Sequence, residues 1–320
     1  MAHETDDRML LSRIAWAYYM DGMTQSEVAD WLGISRVRVN RLLQVCRDEG
    51  YVQILVNTDR AVCYGLERKL ESAFGLHRAV VIPSPAAAKS LNRNIGHASA
   101  HYLAGVLRDG NSLGLGWGTT VAAAASSIRR EPAEGLTVVS LYGGLPHSIV
   151  INPYEIIATF ARRLRAAQTY YIAAPMFAPS PESCQLLKSQ ELFRAVYARA
   201  IRVDIALIGI GELAPSATNA VLGAITQDDV RSLQKAGAVG EVFGTFVDAT
   251  GTPVPHPMNA CFMGPSLDEV RAIPLTIAAA GGESKTTIIR AALAGGFVNV
   301  LVTDEKTATR LLEREKGGLA

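Results

Sequence analysis

The chain has 320 residues, a formal net charge of +1, 49% hydrophobic residues and 19% charged residues. That length suits about two domains, and the composition excludes a disordered or polybasic chain while leaving local charge patches open. Its four scattered cysteines (Cys46, Cys63, Cys184, Cys261) show no zinc or disulfide spacing, its start MAHETDDRML is unlike a signal peptide, and no uncharged apolar run reaches membrane-spanning length, so a reduced, cytoplasmic protein without a membrane segment is expected.

The organisation changes near residue 58. LLSRIAWAYYM (10–20) places Leu10, Ile14, Ala17 and Tyr18 at helical spacing, and Gly22 ends it. TQSEVADWLG opens with Thr24 and Glu27, a T-x-x-E capping box in which each side chain satisfies an orphan backbone N–H. Gly33 is the turn, because glycine tolerates a left-handed backbone. Ser35 is a good N-cap for a third helix, RVRVNRLLQVCRDEG, with Val39, Leu42 and Leu43 facing inward. YVQILVN (51–57) alternates like a short strand and completes a winged unit over 1–58.

Helix, glycine turn, helix is the helix-turn-helix arrangement, whose second helix lies in the major groove of DNA. Arg36, Arg38, Arg41 and Arg47 share one helix, with no acid between Asp30 and Asp48. Positive charge is therefore concentrated where a phosphate backbone would be met. Arginine and asparagine also read guanine and adenine edges. The expected DNA contacts are Ser35, Arg36, Arg38, Asn40 and Arg41.

AVCYGLERKLESAFGL (61–76) reads as an amphipathic connecting helix, with Leu66, Leu70 and Phe74 on one side, inside a linker at 59–77. It suits either a contact between subunits or the core of the second domain. From residue 78 to the end, strands and helices alternate. The strand runs are 78–82, 112–116, 136–144, 169–175, 203–211, 274–282 and 298–304. Helical stretches at 92–108, 119–130, 153–166, 182–199 and 284–294 and a final helix separate them, with a loop-rich region after 211. This predicts an α/β fold, a doubly wound and mostly parallel sheet covered on both faces.

In such sheets ligands bind at the carboxyl ends of strands. Four of those ends carry glycines: Gly116 and Gly118, Gly143 and Gly144, Gly209 and Gly211, Gly281 and Gly282. Thr119 and Thr120 follow the first pair at a predicted helix N-terminus, where hydroxyls, free N–H groups and the helix dipole favour an anion. Lys285 sits similarly in IAAAGGESKTT (277–287). That stretch is not a nucleotide-binding P-loop. The loop requires G-x-x-x-x-G-K-[ST], and here Ser284 precedes the lysine and residue 279 is alanine.

RIAWAYYMDGMTQSEVADWLGISRVRVNRLL resembles the N-terminus of the SorC/DeoR-type sugar-sensing transcriptional regulators. GLGWGTT, LYGGL, KAGAVGE and AAGGESK extend the resemblance over nearly all 320 residues. It implies an effector domain similar to sugar-phosphate isomerases. It also implies a sugar-phosphate site of Gly116, Gly118, Thr119, Thr120, Gly143, Gly144, Glu241 and Lys285, with Asn152 beside them and Asp248 as a competing acid. The partners implied are operator DNA and a homo-oligomer, commonly a tetramer. There are two departures. No basic residue lies in TNAVLGAIT (218–226), where several relatives hold phosphate with an arginine, and Tyr142 stands where a lysine would be needed for a Schiff base. A sugar, a polyol or a sugar phosphate all suit the site.

No catalytic residue, metal or cofactor is expected. The competing reading is a sugar-phosphate isomerase or deaminase with an accessory N-terminal domain. It lacks a distinctive acid/base pair beyond Glu241 and Lys285.

Overall fold

A computed structural model describes residues 2–48, 51–52, 61–129, 133–145 and 151–313. The chain divides into two units, Met1–Asp59 and Arg60–Ala320.

The first unit is built from α1 (Ala2–Tyr19), α2 (Gln25–Leu32) and α3 (Arg36–Asp48). The capping box forms as the T-x-x-E spacing requires. Thr24 N donates to Glu27 Oε2 at 2.7 Å and Glu27 N to Thr24 Oγ1 at 3.3 Å. Gly33 ends α2 at φ 64°, and Ser35 Oγ accepts from Arg38 N at 3.2 Å to start α3. Ile14, Ala17, Val28, Ala29, Val39 and Leu43 bury together where the three helices meet. Tyr51 and Val52 are not in a strand, and the rest of the run expected over 51–57 lies outside the described residues.

The second unit begins with α4 (Ala61–Phe74) and β1 (Arg78–Ile82). Next come α5 (Leu91–Val106), β2 (Ser112–Leu115), α6 (Thr119–Ser127), β3 (Thr137–Ser140), α7 (Pro153–Leu164) and β4 (Gln168–Tyr170). The remaining strands are β5 (Ile205–Ile208), β6 (Ile210–Glu212), β7 (Gly240–Val242), β8 (Thr245–Val247), β9 (Leu275–Ala279) and β10 (Val300–Asp304). Seven strands form one parallel sheet in the order β1-β10-β9-β5-β2-β3-β4. β5 and β10 are buried at every position, as apolar strands covered on both faces should be.

From β2 the chain winds outward through β3 and β4, and from β5 it winds the other way through β9 and β10. The winding reverses between β2 and β5, which opens a crevice at their carboxyl ends. The loop-rich region after residue 211 contains a second sheet, the antiparallel β6-β7-β8. The single strand expected over 203–211 is broken at Gly209 into β5 and β6, which join different sheets. The helix expected over 182–199 is likewise two, Pro181–Ser189 and Glu191–Ala200, separated by Gln190 in an extended conformation.

α4 packs on the second unit. Cys63 and Leu70 are in its main core, with Leu66 and Phe74 against it. The helix also closes an open sheet edge. Glu67 Oε1 accepts from Val81 N at 3.0 Å and Glu71 Oε1 from Ala79 N at 3.2 Å, so two carboxylates take the outward N–H groups of edge strand β1. Arg78 lies 3.7 Å from Glu67 and 3.6 Å from Glu71. Among the described residues, no helix is long and apolar enough to cross a membrane.

Replacing Glu67 and Glu71 together with alanine leaves both N–H groups without their acceptors. Each lost bond should cost roughly 1–2 kcal/mol. Urea unfolding of the second unit measures that loss, and hydrogen exchange at Ala79 and Val81 should accelerate.

Candidate functional site

On α3, Ser35, Arg36, Arg38, Asn40 and Arg41 are all exposed. At 100° per residue, Val37 and Arg41 point away from the buried Val39 and Leu43, Arg38 and Asn40 lie on opposite flanks, and Arg36 is exposed as the first residue of the helix. Arg47 is held back, donating to Tyr19 Oη at 2.7 Å and to Gln44 Oε1 at 2.9 Å. Two residues absent from the sequence reading join this face. Val37 is 81% exposed, an apolar side chain suited to a thymine methyl. Gln25 Nε2 lies 3.5 Å from Asn40 Oδ1, and Gln25, Arg36, Val37 and Asn40 line one concavity.

In the second unit, the crevice is a cleft lined from several strand ends. The segment after β2 contributes Trp117, Gly118, Thr119 and Thr120. The β5–β6 run contributes Gly209, Ile210, Gly211 and Glu212, and the segment after β6 adds Ala217, Thr218 and Asn219. Glu241 comes from β7 and Lys285 from beyond β9. The structure thus brings Gly118, Thr119, Thr120, Glu241 and Lys285 together.

Local geometry fixes each group. Gly118 adopts φ 114°, the positive region glycine favours, to start α6. Asn92 Nδ2 donates to Thr119 Oγ1 at 2.9 Å, which leaves that hydroxyl's proton free to point elsewhere. Gly211 faces Glu241 across the β6–β7 ladder, and a Cβ there would sit 2.5 Å from Glu241 Oε1. The missing side chain is what lets the carboxylate lie over the strand. Glu241 Oε2 accepts from Gly244 N at 2.7 Å, and Lys285 Nζ donates to Ile210 O at 2.9 Å. Burial pushes the Glu241 carboxyl up, against the Gly244 N–H and Lys285, which pull it down. Burial pushes the Lys285 ammonium down, against Glu212 and Glu241. Both groups are drawn toward their neutral forms. Asp248 lies outside the cleft, its Oδ1 accepting from Thr250 N at 2.9 Å and Thr252 N at 3.0 Å within a turn.

Gly116, Gly143, Gly144 and Asn152 do not line the cleft. A Cβ on Gly116 would lie 2.7 Å from Tyr142 Oη, which accepts from Trp117 N at 3.2 Å. Gly143 lets its backbone pass the Ala174 and Pro175 carbonyls, and Gly144 makes room for the Tyr154 ring. Asn152 caps α7, its Oδ1 accepting from Tyr154 N at 3.0 Å. These residues pack the scaffold beside the cleft. Sequence reasoning missed Asn92, Trp117, Glu212 and Asn219. Glu212 carried a usable signal, an acid directly after the glycine-punctuated run IGIG. Among the described residues, no group of three or more His, Cys, Asp or Glu is placed to hold a metal.

The family described as "Putative sugar-binding domain" matches residues 59–313. Transcriptional regulator LsrR of Klebsiella pneumoniae is 31% identical over 307 residues, covering 95% of this chain and 92% of that protein. The erythritol catabolism regulatory protein EryD of Brucella abortus is 30% identical over 316 residues, covering 98% and 99%. The full-length sorbitol operon regulator SorC from Klebsiella pneumoniae superposes with a TM-score of 0.75 at 27% identity, covering 96% of this chain and 99% of that one.

Two substitutions separate scaffold from site. Gly143→Ala should destabilise the second unit by roughly 1–3 kcal/mol in a urea titration, because backbone carbonyls cannot move aside. Glu241→Gln should do the opposite above acid pH. The folded carboxyl titrates above its unfolded value, so ionising it costs stability as pH rises through the folded value. The variant should match wild type at low pH and melt higher at neutral pH, as read by thermal scans across pH.

Proposed function

We propose that this chain, which belongs to the SorC-type family of sugar-binding transcriptional regulators, binds operator DNA through α3 and releases or engages it in response to a small hydroxyl-rich effector. The observation that carries the effector half is the cleft at the winding reversal, where Lys285, Glu212, Glu241 and hydroxyl side chains converge from separate strand ends. A sugar, polyol or sugar phosphate matches that set of donors and acceptors. The relatives' names, an erythritol catabolism regulator and a sorbitol operon regulator, support the same class. The exposed, acid-free arginine face of α3 supports the DNA half.

In this reading the chain performs no catalysis and acts in the cytoplasm. Lys285 Nζ and the Glu241 carboxylate are each held by backbone groups, which suits fixed recognition of a ligand. Two α3 helices on symmetric half-sites require a homo-oligomer, a dimer of dimers by family resemblance. The effector acts by binding two conformational states with different affinity.

Fluorescence anisotropy on the chain's own upstream DNA tests the reading. Arg38→Ala and Arg41→Ala should each weaken binding by roughly 1–3 kcal/mol while the protein stays folded. Lys285→Ala should keep DNA affinity near wild type and blunt the effector response. Unchanged operator affinity in both arginine variants would overturn the DNA contact. A full effector response in Lys285→Ala would overturn the cleft. Product formed from sugar phosphates by pure protein would favour the isomerase or deaminase reading instead.

A further inference from the structure

Among the described residues, the ionisable lining of the cleft is Lys285 against Glu212 and Glu241, which leaves one carboxylate in excess. The lysine is already committed. Its Nζ donates to Ile210 O at 2.9 Å, and both carboxylates act on its charge. The remaining polar lining is neutral: Thr119, Thr120, Thr218 and Asn219. Asn219 is 5% exposed. Its Oδ1 accepts from Ala220 N at 2.9 Å, and its Nδ2 has no protein acceptor among the described residues. Among the described residues, no arginine lines the cleft.

From this lining we infer that the effector is an uncharged polyhydroxylated molecule, a short polyol or unphosphorylated sugar, and that Glu212 turns its phosphorylated counterpart away. The inference rests on the cleft being the effector site. A phosphomonoester brings about −1.5 to −2 charge at neutral pH. The N-terminus of α6 offers only roughly +0.5 charge, and Lys285 is shared with two carboxylates. Placing a dianion beside an uncompensated carboxylate in a partly enclosed cleft is repulsive, so the like charge acts as a selectivity element. Hydroxyl groups suit the same lining. They donate to Glu212 and Glu241, and accept from Lys285, Asn219 and the threonines.

Calorimetry on the full chain tests this with erythritol, xylitol and D-sorbitol and the terminal monophosphate of each. Wild type should bind at least one free polyol about tenfold or more tighter than its phosphate. Glu212→Gln should narrow or reverse that ratio by strengthening the phosphate, while Glu212→Asp should keep it. A phosphate that binds wild type more tightly than its parent polyol overturns the inference and leaves the cleft as effector site intact. A ratio unchanged in Glu212→Gln overturns the role of Glu212. If neither polyols nor phosphates bind, the sugar-type reading of the cleft falls, and this inference falls with it.

Discussion

The cleft depends on a carboxylate laid across a strand that has no side chain to obstruct it. Gly211 and Glu241 are partners in the β6–β7 ladder, and only a glycine leaves room for the Glu241 side chain at that crossing. The small antiparallel sheet delivers Glu241 to the carboxyl ends of the parallel one. Gly209 breaks the chain between the two sheets. Lys285, arriving after the Gly281–Gly282 turn, fastens to Ile210 O at the start of β6. Three separate stretches of sequence are thus registered against one another by contacts to the backbone. Such preorganisation lowers the ordering cost of binding.

The same arrangement works against stability. Burial opposes the charge on both Glu241 and Lys285, so keeping either ionised in the cleft costs stability. The surrounding core offsets this. β5, with Ile205, Ala206, Leu207 and Ile208 all buried, sits in the middle of the sheet beneath the cleft. Beside it, Gly282 N donates to Thr307 Oγ1 at 2.8 Å, and Thr307 in turn donates to Asp304. This polar network fixes the glycine turn from which Lys285 departs.

The sequence shows local features well and spatial neighbours poorly. The capping box at Thr24 and Glu27, the Gly33 turn and the apolar strand at 78–82 are set by nearby residues, and each was readable. Gly118, Thr119, Thr120 and Lys285 could be placed because the strand-end rule applies without knowing strand order. Gly143 and Gly144 obey the same rule yet miss the cleft, because β2 stands between β3 and β5 and chain order does not reveal that. The three-residue strands β6, β7 and β8 are too short to show a period, and pairing alone makes them strands. Glu212 takes its place in the cleft from that pairing and Asn219 from the short helix Thr218–Val221 that follows β6, and neither shows in chain order.

Edge strand β1 is held on one side by α4 and on the other by β10, and α4 also packs against the helix Glu305–Leu312. The first and last elements of the second unit therefore complete each other. During synthesis the three-helix unit can fold as soon as it emerges, because its contacts are local in sequence. The second unit must wait for β10 to leave the ribosome, because β1 lacks its partner strand until then. Until β10 emerges, a nascent chain thus carries a finished three-helix unit ahead of an unfinished sheet.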